Sequence, residues 1–113
     1  MLSDRSRQAL IDIRDNIRLA QEFTSGLTAE SFAVDHRTFY AVTRCLEIIS
    51  EASRRLDDDV RDRHPELPWR AIMAAGNFYR HDYDNVAESF VWRTATESLD
   101  ALLGMADAEL SAK

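Results

Sequence analysis

From Leu10 to Thr24, apolar side chains return at steps of three and four: Leu10, Ile13, Ile17, Ala20, and then Phe23 or Thr24. A helix of 3.6 residues per turn gathers these positions into one stripe, whereas a strand would scatter them over both faces. This periodicity constrains the chain most, because it recurs. Phe39, Val42, Leu46, Ile49, Ala52 and Leu56 make a second stripe, and Val86, Phe90, Val91, Ala95, Leu102 and Met105 another. Between them Trp69, Ile72 and Met73 form a shorter inward set. Three glycines and two prolines in 113 residues leave too little turn chemistry for an all-β fold, and 45% apolar content is too much for disorder.

The punctuation divides the helices. Ser3 and Asp4 can cap a first helix from about Arg5, which Ser25-Gly26 ends after Thr24. Thr28 can cap a short turn, Ala29 to Val34, and Asp35 starts a long helix to about Leu56. Asp57 to Asp59 can begin a short helix through Arg63 that Pro65 stops, and Pro68 suits the first turn of a third main helix. A single last helix is expected from about Asn85 to Leu110. The expectation is one all-α domain over residues 1–113, an antiparallel four-helix bundle with short extra helices.

No stretch at the N-terminus resembles a signal peptide, and every apolar run is interrupted before spanning length, so the chain reads as soluble and cytoplasmic with no membrane partner. Its lone cysteine, Cys45, falls in a helical pattern and is expected as a small buried hydrophobe. A net charge of −6 argues against a broad electrostatic grip on nucleic acid, though a few local arginines can still build a cationic site. Glu47 and Glu51 share a helix face, but no Glu-x-x-His pair accompanies them, and His36, His64 and His81 lack ligand spacing. Neither a metal nor another cofactor is expected. Glu47 is expected exposed or ion-paired, Glu51 bonded to a neighbouring helix, and Trp69 and Trp92 in the core.

The densest chemistry lies in "GNFYRHDYDNV", Gly76 to Val86. His81 can exchange a proton near neutrality, and Arg80 can hold a phosphate and stabilise charge on a pentavalent phosphorus. The pair suits metal-independent cleavage of RNA, in which the ribose 2′-oxygen attacks the adjacent phosphorus and leaves a cyclic phosphate. A single histidine in this stretch then implies a second copy, since the reaction needs two proton carriers. The structural alternative is a histidine and an arginine meeting the negative end of a helix.

Several short matches, in order, resemble one family: Ser50-Glu51-Ala52, Pro65 to Trp69 followed by Ile72, the Asn77, His81, Tyr83 series, and Val91-Trp92. Across about residues 5 to 105 the chain resembles the HepT-like toxins of the HEPN superfamily. That resemblance implies a dimeric helical bundle whose paired Arg-x-x-x-x-His motifs cleave RNA, tRNA among the targets. It also implies a nucleotidyltransferase antitoxin of the MntA type, which silences the nuclease by transferring AMP to the motif tyrosine. By position His81 takes the catalytic role, Asn77 a hydrogen-bonding support and Tyr83 the acceptor role. The chain departs from the pattern at Gly76, where the motif arginine should stand. Arg80, four residues on, is the nearest substitute, provided that the helix runs unbroken through it. Three readings stay open: a toxin-type ribonuclease, an inactive module that binds the transferase, and a structural helical dimer.

Overall fold

The computed structural model describes the backbone of residues 1–81 and 87–112, and the side chains of 1–77 and 87–112. Every regular element among them is helical: α1 Asp4–Thr24, α2 Ala29–Ala33, α3 His36–Arg55, α4 Asp58–Asp62, α5 Trp69–His81, α6 Glu88–Glu97 and α7 Asp100–Ser111. The all-α expectation holds, and most boundaries fall where the capping residues place them. Ser3 accepts from the Ser6 amide, Thr28 forms a reciprocal capping box with Ser31, and Asp35 accepts from the Thr38 amide. Gly26, at φ 79°, takes the left-handed turn that follows α1. Pro68 stands just before α5, and its carbonyl accepts from the Ile72 amide at 3.0 Å.

Two expectations need correction. The last helix is two, α6 and α7, parted at Ser98 and Leu99. No glycine or proline marks the break. Thr94 and Thr96 turn their hydroxyls back onto the carbonyls of Phe90 and Trp92, at 2.9 and 2.7 Å, and such back-bonding bends a helix. Phe90, expected on the apolar stripe, is 42% exposed, while its neighbour Val91 is fully buried. On α1 the open choice resolves to Thr24, which is buried and returns its hydroxyl to Ala20, and Phe23 faces outward.

The core forms where α1 packs against α3, α6 and α7. Leu10, Ile13, Ile17 and Ala20 of α1 are completely buried, together with Val42 and Ala52 of α3 and Ala106 of α7. Cys45 is buried among them as a free thiol. Phe32, from the short α2, is also fully buried and meets Phe39 and Trp92 at ring-centroid distances of 6.1 and 5.3 Å. Trp69 packs on the core edge and donates its indole N–H to the His64 carbonyl at 2.9 Å. Both tryptophans thus belong to the core margin.

A polar tie joins α4 to α7. Arg63 donates to both Glu109 carboxylate oxygens, at 3.1 and 2.7 Å, and His64 Nε2 approaches Glu109 Oε2 at 2.6 Å. A carboxylate only accepts, so Nε2 carries the hydrogen. These bonds, the Arg63 pair foremost, hold the Glu109 carboxyl down at about 2 against the opposing effect of its burial. Among the described residues no helix is long and apolar enough to cross a membrane.

Candidate functional site

α5 carries the motif, and α3 decides how it is presented. The two helices meet where Ser50 and Arg54 of α3, four residues apart and so on one face, oppose Met73 and Gly76 of α5. Ser50 is 1% exposed. Its Oγ accepts from the Gly76 amide at 2.8 Å and donates to the Met73 carbonyl at 3.1 Å. That carbonyl also accepts from Arg54 Nε at 2.7 Å. An interior helix amide ordinarily aims at the carbonyl four residues back. Here a serine hydroxyl from α3 also takes the Gly76 amide and bridges positions 73 and 76.

This contact explains Gly76. A Cβ at that position would stand 2.8 Å from Ser50 Oγ, 3.2 Å from Ser50 Cβ and 3.7 Å from Arg54 Nη2. The first distance is shorter than carbon and oxygen tolerate, and the hydroxyl that would have to move is buried and bonded twice. Any side chain at 76, arginine included, is therefore excluded from this packing. At the position where the resemblance would put an arginine, the root of a side chain is filled by Ser50.

The helix nevertheless continues through Arg80 and His81, which meets the condition placed on Arg80 as substitute. In register Arg80 follows Gly76 by one turn, roughly 6 Å along the axis and 40° around it, and His81 follows Asn77 in the same way. Asn77 is exposed at the surface of α5. The side chains of Arg80 and His81, and Tyr83 altogether, lie outside the described residues.

Around the site, Glu47 pairs with Arg44 at 2.9 Å, in line with the ion pair expected of it, and Glu51 is exposed. No group of three or more His, Cys, Asp or Glu among the described residues stands close enough to hold a metal ion. Ser50 is legible in the sequence only as part of a matching tripeptide, and nothing there marks Arg54: their contacts with α5 join residues 26 and 19 positions apart.

Residues 13–108 match the family model described as Ribonuclease HepT-like. A "Probable ribonuclease HepT" from Thermococcus cleftensis is 39% identical over 84% of this chain and 86% of its own length. Two proteins from Methanocaldococcus jannaschii, each named "Putative RNase", are 32% and 33% identical, over 80% and 76% of this chain and 83% and 71% of their own. No solved structure matches the chain significantly.

Proposed function

The chain belongs to the ribonuclease HepT-like family of HEPN proteins, and from that premise we propose that it is a metal-independent endoribonuclease and the toxin of a toxin–antitoxin pair. The observation that carries this reading is the unbroken course of α5 through residue 81, which keeps Asn77 and His81 one helical turn apart, with Arg80 next to His81 in the chain. His81 takes the proton from a ribose 2′-OH, the 2′-oxygen bonds to the adjacent phosphorus, and the bond to the 5′-oxygen breaks. That leaving oxygen collects a proton from the His81 of a second copy, so the active unit is a homodimer. Arg80 binds the phosphate and offsets the charge that builds on its oxygens, with Asn77 as a hydrogen-bonding support. The products are a 2′,3′-cyclic phosphate and a free 5′-OH, and tRNA is the first substrate to try.

Control falls to Tyr83. A nucleotidyltransferase antitoxin of the MntA type brings ATP, the Tyr83 phenolate attacks the α-phosphorus, and pyrophosphate leaves with AMP now on the tyrosine. Asp82 and Asp84 flank that oxygen in sequence, so the Mg²⁺ that accompanies ATP is needed to offset their charge.

One test addresses cleavage and one addresses control. His81→Ala and Arg80→Ala should each lower cyclic-phosphate release from tRNA by about 100-fold or more. If both variants cleave as the wild type does, the assigned site is wrong. Incubation with the transferase and ATP should add AMP mass to the wild type and none to Tyr83→Phe; equal addition on both removes the acceptor role. The burial of Gly76 favours one second reading, an inactive module that binds the transferase. That reading expects AMP transfer without any RNA cleavage.

A further inference from the structure

Gly76 is bordered by a guanidinium that the family motif does not supply. Arg54 Nη2 lies 3.7 Å from the point where a side chain at position 76 would begin. Arginine has five N–H donors, and Arg54 spends one, on Nε, to reach the Met73 carbonyl at 2.7 Å. That bond fixes the plane of the guanidinium against α5 and leaves its two terminal nitrogens without an acceptor among the described residues. The neighbouring arginines behave differently. Arg44 holds Glu47, Arg55 holds Asp12, Arg61 holds Asp58 and Arg63 holds Glu109, each through a terminal or bidentate contact of 2.6 to 2.9 Å. Arg54 holds no carboxylate among the described residues, although it is half-buried, where an unpaired charge is costly. A half-desolvated guanidinium oriented through Nε, its outer fork unused by any described residue, is suited to a phosphate.

We infer that Arg54 is a substrate-binding residue, which holds an RNA backbone phosphate from α3 beside α5, in addition to the phosphate contact proposed for Arg80. The inference rests on the ribonuclease reading for its ligand. It gives the site two arginines from two helices in place of one motif arginine.

The test uses the full-length protein and a bulk tRNA preparation. Binding is measured on the His81→Ala background, so that the RNA survives, across a range of salt concentrations. Adding R54Q should flatten the plot of log affinity against log salt by about 0.7, the contribution of one phosphate contact on single-stranded RNA. R54K, which keeps the charge, should retain the slope. With His81 intact, R54Q should raise KM for cleavage about tenfold or more with a smaller change in kcat, and melting temperatures report whether folding is affected. A second measurement needs no variant: bound tRNA should slow the modification of Arg54 by phenylglyoxal in the wild type, read by mass on its peptide. An unchanged slope in R54Q, or labelling of Arg54 at the same rate with and without tRNA, overturns the inference. Absence of cyclic-phosphate release from the wild type overturns the ribonuclease reading instead, and the slope and labelling still decide whether Arg54 contacts RNA.

Discussion

Replacing Gly76 with alanine sets two well-characterised effects against each other, and the structure says which one wins. Glycine inside a helix costs about 1 kcal/mol relative to alanine, so on α5 in isolation Gly76→Ala should stabilise. In the folded chain the new Cβ would meet Ser50 Oγ at 2.8 Å and Ser50 Cβ at 3.2 Å. Relief requires the hydroxyl to turn away, which forfeits its bonds to the Gly76 amide and the Met73 carbonyl, about 1 kcal/mol each. The remaining carbon–carbon crowding adds an overpacking cost of about 1–3 kcal/mol. The net expectation is destabilisation by about 2–4 kcal/mol, a fall in melting temperature of roughly 8–16 °C for a domain of this size. Thermal and urea denaturation of Gly76→Ala, Ser50→Ala and the double variant complete the cycle. Because Ser50→Ala removes the clashing oxygen, the double variant should be more stable than the two single costs predict, by about 1 kcal/mol or more. A rise in melting temperature for Gly76→Ala, or strict additivity in the cycle, would refute the close-approach account of Gly76. Gly76→Arg begins with the same Cβ and should destabilise at least as much without increasing RNA cleavage.

Three further outcomes follow from the packing and the polar ties. Phe32→Ala empties a fully buried site between Phe39 and Trp92 and should cost about 3–5 kcal/mol by urea denaturation. Thr28→Ala removes one half of the capping box that starts α2, with an expected loss of about 1 kcal/mol in the same assay. The Glu109 carboxyl is held at about 2, below its ordinary 4.5, so its contribution is complete above pH 4.5 and fades as the pH falls through 2. With allowance for the exposure of Arg63, that contribution is about 2 kcal/mol; Glu109→Gln should lower stability at neutral pH and flatten the acid limb of a pH–stability curve.

Local chemistry made most of the fold legible. Ser3, Thr28 and Asp35 each offer a side-chain acceptor to a helix start, and those starts are where the structure has them. The stripes of α1 and α3 were readable because each presents one continuous apolar face to one core. The break between α6 and α7 escaped because no glycine or proline marks it, in a run whose apolar spacing alone continues smoothly. Phe90 was misplaced for a related reason: adjacent Phe90 and Val91 both fit the stripe, and packing chose the smaller residue. At the site the motif was readable as residues in order, with Asn77 and the helix through His81 in place. The meaning of Gly76 was not. A glycine in place of an arginine looks like a loss until Ser50, 26 residues earlier, is found bonded to its amide.

That bond changes how the substitution at 76 has to be understood. If glycine had merely replaced a catalytic arginine, the space beside it would be open and the arginine could be restored in one step. Instead Ser50 fills the space, both of its hydrogen-bonding capacities are engaged by α5, and Arg54 fastens the same carbonyl from one turn further along α3. Ser50 would have to give up both bonds to α5 before a side chain could stand at 76. A chain with net charge −6 has little long-range attraction for RNA to spare, so the cations closest to the cleaved phosphate carry a larger share of binding than they would on a basic surface. Under the proposed assignment those cations come from α3 and from the next turn of α5, and the packing that excludes the motif arginine is the same packing that orients Arg54.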